Sequence, residues 1–183
     1  MKVLKVILLI LAVLIALMVG TYAYYGGFKK VDVRIETQGG EVIVYEDVIG
    51  SYMQVPEVCD RVYNVLLNNE KIETTKGIGI FYDDPENVAE EKLRSKVGCI
   101  IDNADSATIA NLSEKYLVEI IPQQEYIVAE FPKKGFMSIM VGIMKVYPAL
   151  DDYCEKHGYG DSPITEIYDE VNKKTVYRQE IAR

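Results

Sequence analysis

Glu166, in the run Thr165-Glu166-Ile167-Tyr168, is the residue of this 183-residue chain best placed to do chemistry. Its segment repeats an earlier one, Gly79-Ile80-Phe81-Tyr82, at an offset of 86. In that alignment a carboxylate replaces Ile80 on a strand of otherwise matching pattern. If Ile80 faces inward, so does the acid. A buried carboxylate without a partner is costly, so its presence points to a cationic or hydrogen-bonding ligand. A desolvated carboxyl of raised pKa could also serve as general acid or base on water attacking a strained electrophile. The plainer alternatives are an ion pair with Arg or Lys on a neighbouring strand, or a solvent-facing side chain.

The other reactive residue types offer less. Fourteen tyrosines and no tryptophan make tyrosine the main aromatic surface, and each ring could hold a cation for about 0.5–2 kcal/mol. Tyr63 and Tyr147 fall at core spacing on helical stretches and read as packing residues. Cys59, Cys99 and Cys154 show no CxxC spacing and His157 is the single histidine. No metal site is expected from such a set, and the cysteines read as small core residues. No Ser–His or Cys–His pair suggests nucleophilic catalysis, and no cofactor is expected. Gly77-x-Gly79 lacks the further glycines of a phosphate loop and opens a strand, which argues against nucleotide binding.

The elements that must position Glu166 come in two similar halves. Glu41–Glu46 aligns with Glu125–Glu130 at an offset of 84, where Tyr52 also meets Phe136. A period of this length suits one domain built from two halves better than a solenoid. In the first half, alternating residues predict strands over 31–36 and 41–47, with Gly39-Gly40 as a tight bend between them. Val55, Val58, Cys59, Val62, Leu66 and Leu67 mark one face of a helix over 54–70. Strands follow at 78–82 and 97–101. The second half predicts strands near 116–121 and 125–131, a helix over 136–156 with a kink at Pro148, and strands near 163–169 and 174–181. The linking residues 103–115 could hold a short helix. The expected fold is α+β: tandem βαββ repeats about a pseudo-twofold axis, forming an antiparallel sheet with two helices on one face. The opposite face, or the seam between halves, should be concave and open to a ligand.

Ahead of this lies an apolar stretch. Val6 to Tyr25 contains no charge, and as a helix it would be ~30 Å long, the thickness of a bilayer core. Lys2 and Lys5 precede it, Lys29 and Lys30 follow it, and Tyr22, Tyr24 and Tyr25 suit an interfacial belt. A single-pass anchor over 1–27 carrying a domain over 28–183 is the expectation, with halves at about 30–102 and 116–183. The alternative is a cleaved secretory signal, for which Thr21-Tyr22-Ala23 is a poor cleavage site. Basic residues are nearly balanced across the span, so the side on which the domain lies is undecided. The whole chain has a net charge of −8, and setting aside Lys2 and Lys5 leaves −10. An acidic domain argues against nucleic acid as a partner.

Gly77–Pro85 followed by Arg94–Cys99, with Ile49-Gly50-Ser51-Tyr52 and Ile164–Tyr168, resembles the GyrI-like ligand-binding family over about 30–183. A membrane-anchored branch of that family, which includes a testis-expressed endoplasmic-reticulum autophagy receptor, is similar in its order of anchor and domain. The short run after the last predicted strand leaves no room for an adaptor-binding tail, so the receptor role is not expected here. The resemblance implies a small-molecule-binding module whose family glutamate falls on Glu166. The aromatic pocket positions would fall on Tyr52, Tyr82, Phe136 and Tyr168. The leading expectation is non-catalytic binding of a small hydrophobic or cationic molecule at a membrane surface. Two alternatives stand beside it: an adaptor docking another protein, and a hydrolase of strained electrophiles using Glu166.

Overall fold

The computed structural model describes residues 2–182; Met1 and Arg183, the outer ends of the expected anchor and domain, lie outside the described residues. An N-terminal helix α1 (Lys2–Tyr24) has no buried residue and is long and apolar enough to cross a membrane. Eight strands follow, β1 (Val33–Gln38), β2 (Val42–Ile49), β3 (Lys76–Phe81), β4 (Arg94–Ile101), β5 (Leu117–Ile120), β6 (Gln124–Pro132), β7 (Ile164–Asp169) and β8 (Lys174–Glu180). Helices α2 (Val55–Val65), α3 (Ser106–Ser113) and α4 (Phe136–His157) lie between them.

All strands join one antiparallel sheet in the order β1-β6-β8-β7-β3-β4-β2-β5. The pseudo-twofold lies between β3 and β7. One βαββ half supplies β2, α2, β3 and β4; the other supplies β6, α4, β7 and β8. The two remaining strands are exchanged: β1 pairs with β6 of the second half, and β5 with β2 of the first.

That exchange changes the role expected of Gly39-Gly40. The two strands it joins do not pair; they stand six places apart in the sheet. Flat, that separation would be ~29 Å. The connection from Gln38 to Val42 can span at most ~14 Å, so the sheet must curl until its ends approach. At the crossing, Gly40 N–H donates to the Ile121 carbonyl at 2.7 Å and Ile121 N–H to the Glu41 carbonyl at 2.9 Å. Gly39 has φ +100, and a Cβ there would fall 1.9 Å from the Pro122 carbonyl oxygen, so only glycine fits. Beside the crossing, buried Arg178 forms an ion pair with Glu41 at 2.8 Å.

The curl sets the cores. Ile43, Ile78, Ile80, Ile100, Val128 and Ile167, from strands of both halves, meet in one cluster inside it. The face opposite the helices is therefore concave, as expected, but filled. Outside, two separate clusters form. One joins Val55, Val58, Val62 and Leu66 to Val44, Val97 and Cys99; the other joins Val141, Val146, Leu150 and Cys154 to Ile127, Phe131 and Tyr177. Each fully buried Val or Leu here contributes roughly 1.5–3 kcal/mol.

Local signals explain where the helices begin and end. Pro56 and Glu57 open α2, which runs on through a π-helical turn, Leu66–Glu70, to left-handed Lys71 (φ 58). Helix α4 starts after Gly135 and stops at left-handed Gly158, with Lys156 and His157 in its last turn. It continues through Pro148 as one element. The close approach of α4 to β8 depends on Gly142, where a Cβ would come 2.4 Å from the Tyr177 hydroxyl.

Candidate functional site

Between α2 and α4, over the β3–β7 seam, the convex face holds a cleft of about 1740 Å³. Two clusters of packed side chains anchor the helices to their own halves, and only Tyr168 of β7 reaches across the seam, packing on the α2 cluster. The floor of the cleft is shaped for a sequence reason. Gly77 and Gly79 lie directly opposite Tyr168 and Glu166 on β7 and carry no side chain of their own. The Phe81 ring folds back over Gly79, where a Cβ would come 2.8 Å from it. A Cβ on Gly77 would press within 3.3 Å of the Tyr168 ring.

Glu166 sits in this floor, only 1% exposed. Tyr147 donates to Oε1 at 2.8 Å and Tyr168 donates to Oε2 at 2.8 Å. Among the described residues no Lys, Arg or His pairs with it. Burial pushes its carboxyl up to about 7, although both tyrosine hydrogen bonds favour the ionised form. Burial and the nearby carboxylate hold both phenols well above the ordinary tyrosine range, so they remain donors. Removing one donor by Tyr168→Phe should therefore raise the Glu166 pKa further, by about one pH unit. Titration of its side-chain carbonyl carbon by NMR checks this; a downward shift would contradict the geometry.

All five sequence-predicted site residues line this one cleft. Tyr52 forms a wall, with its hydroxyl donated to the Asp83 carbonyl at 2.8 Å and its ring edge-on to Phe81. Tyr82 and Phe136 are at the rim, 39% and 45% exposed. One expectation changes and another gains a second role. Ile80 is not the counterpart of Glu166: it pairs with Thr165 and points into the inner core, while Gly79 stands opposite the carboxylate. An even offset between antiparallel strands related by this axis puts paired positions on opposite faces, so the alignment was one residue out of phase. Tyr147 packs on the α4 core as expected, and its half-buried side chain also delivers its hydroxyl to Glu166. Its place at the edge of the α4 apolar stripe was the available signal. Cys59 also lines the cleft, its thiol pushed up to about 12, chiefly by burial, which makes it unreactive.

The surroundings are acidic. Among ionisable residues lining the cleft, carboxylates outnumber lysines ten to two. Asp151 has its carboxyl raised, first by burial and then by Asp161, Asp84 and Asp152. One of the two lysines, Lys76, is turned to Asp102 at 2.8 Å. Ile139, Met140, Ile143 and Met144 supply an apolar, deformable wall. The arrangement can enclose an apolar body and set a carboxylate against a positive charge.

The model of the family described as the GyrI-like small molecule binding domain matches residues 32–181. Human (Homo sapiens) testis-expressed protein 264 is 31% identical over 101 residues, which is 52% of this chain and 32% of that protein. The chain thus spans about a third of that relative's length. The DNA gyrase inhibitor of Serratia proteamaculans (strain 568) is 27% identical over 162 residues, 77% of this chain and 98% of its own. Two solved structures share the fold. The EcmrR C-terminal domain has a TM-score of 0.58 at 12% identity, covering 84% of this chain and 98% of that one. SAV2435 bound to tetraphenylphosphonium has a TM-score of 0.53 at 13% identity, covering 82% and 93%. With the family match spanning nearly the whole of the sheet and its helices, this chain belongs to the GyrI-like small-molecule-binding domain family.

Proposed function

We propose that this chain is a membrane-tethered receptor for a hydrophobic, cationic small molecule, bound in the cleft between α2 and α4. One observation carries the reading. A carboxylate 1% exposed lies in the floor of an open cleft, hydrogen-bonded to two tyrosines, with no basic partner among the described residues. Burying an anion this way is costly unless a positive charge arrives to balance it. The acidic lining favours a cation at longer range, and the exposed aromatic faces of Tyr82 and Phe136 supply stacking surface. Support for the tether comes from α1, whose length and composition match a bilayer span.

Tetraphenylphosphonium, the ligand in the SAV2435 structure, is a suitable probe. The full chain in detergent micelles should bind it saturably, with the affinity rising with pH. Binding a cation requires the ionised carboxylate, so the affinity should fall about tenfold per pH unit below about 7 and level off above it. Isothermal titration at pH 5.5, 7 and 8.5 measures this. Binding that is absent, or indifferent to pH, would sink the proposal.

A second reading has its own support in the carboxyl poised near 7. Such a group suits a general acid or base at neutral pH, here activating water against a strained electrophile with the two tyrosines orienting it. Turnover of a cyclopropane-type electrophile, abolished by Glu166→Gln, distinguishes it from binding alone. An adaptor role would have been favoured by a cleft packed shut, and the cleft is open.

A further inference from the structure

The junction between α1 and the domain is rigidly built. Lys134 Nζ donates to the Tyr24 carbonyl at 2.9 Å and lies 4.5 Å from the Tyr24 ring centroid. Lys145 Nζ donates to the Gly27 carbonyl at 2.6 Å and also to that of Lys29. Between these ties Gly26 (φ +90) lies so close to Phe131 that a Cβ would come 3.1 Å from its ring, and Tyr25 packs on the α4 core. The end of the apolar helix is thus held within a lysine's reach of the first turn of α4.

That part of α4 has an unusual outward face. From Phe136 to Leu150 its sole charged residue is Lys145; acids return at Asp151 and Asp152. Phe136, Met137 and Met144 are 45%, 51% and 72% exposed, and Phe28 beside the junction is 69% exposed. Single exposed apolar residues are ordinary. Here Phe136 and Met144 stand on one lip of the cleft, Met137 lies two helical turns before Met144 on the same side of α4, and Phe28 packs on Tyr22 at the junction. The lysines flanking the strip, Lys29, Lys30 and Lys134, give this corner a basic character within an acidic domain, while neighbouring Lys133 is paired with Glu170. Apolar side chains ringed by lysines suit the interfacial layer of a bilayer.

We propose that this α4 lip rests in the surface of the membrane that α1 spans, with Phe136, Met137 and Met144 among the lipid headgroups and upper chains. The cleft mouth then opens where lipophilic cations accumulate. This rests on reading α1 as an anchor and the cleft as the ligand site. The strip would enter the interface by ~5–10 Å, the usual depth of an amphipathic helix.

The chain has no tryptophan, so one introduced residue reports alone. Met144→Trp in the full chain, reconstituted in phosphatidylcholine vesicles, should show blue-shifted emission. Brominated phosphatidylcholine should quench it severalfold more than Glu155→Trp, which lies ~16 Å further along α4. If the protein floats with the vesicles but the two positions quench alike, the docked lip is overturned and the anchor stands. If the protein does not float, both fall. A blue shift that grows with protein density without bromine quenching would assign the strip to a second copy, overturning the proposal.

Discussion

Glu166→Gln should weaken tetraphenylphosphonium binding by about 100-fold, equivalent to about 3 kcal/mol. An exposed ion pair would be worth 1 kcal/mol or less. Glu166 is 1% exposed, so an attraction across the cleft is far less screened. The lower end of the 3–5 kcal/mol range for buried pairs is the suitable choice, because a phosphonium charge is spread out and cannot donate a hydrogen bond. Glutamine preserves the shape and can still accept from Tyr147 or Tyr168. The change therefore removes charge while leaving the cleft walls in place. The variant should also lose the pH dependence of binding. A variant that binds within about threefold of the natural chain would mean that the aromatic walls hold the ligand and the carboxylate does not.

The same substitution should stabilise the empty protein, and by an amount that depends on pH. The carboxyl ordinarily titrates at 4.5 and in the fold at about 7. Between those values the folded chain keeps a proton that the unfolded chain gives up. The stabilisation from that retained proton is fully present below 4.5 and is lost as pH rises through about 7. At ~1.4 kcal/mol per pH unit, the loss amounts to about 3 kcal/mol. Glu166→Gln should escape it, melting roughly 6–12 °C above the natural chain at pH 8.5 and close to it at pH 4.5. Asp83 and Glu36, whose pKa values are lowered chiefly by hydrogen bonds from Arg94 and Arg34, titrate in both proteins and cancel in the difference. Thermal unfolding of both chains across this pH range measures the effect. A variant that melts lower at pH 8.5 would mean the ionised carboxylate supports the fold, contrary to a site held ready for a cation. Saturating tetraphenylphosphonium should raise the melting temperature of the natural chain and leave the variant nearly unchanged.

Much of this molecule is written in short-range pattern. The apolar runs within Val42–Ile49 and Gln124–Pro132, the Val55-Val58-Val62-Leu66 face and the apolar run before Tyr25 are each legible from short stretches of chain. The duplication was also legible, since it needs only comparison of one stretch with another; the acid in the Thr165–Tyr168 strand stood out only against Ile80, a comparison that the register overturns. What depended on partners far away in the chain was not legible. Gly39-Gly40 has the same local chemistry whether it closes a hairpin or carries the chain across a curled sheet; pairing of β1 with β6 decides which. Whether Ile80 or Gly79 shares a face with Glu166 turns on a single residue of β3–β7 register, and strand side chains alternate at each step. Helical period identified the buried side of α4 and Tyr147 as a packing residue, but only the helix's final rotation against the sheet also brings its hydroxyl to Glu166. The sequence by itself determined the elements and their duplication, because these are local. Tertiary structure alone decided which face closed into a core and which stayed open over Glu166, because curvature and register are properties of strands brought together from opposite halves.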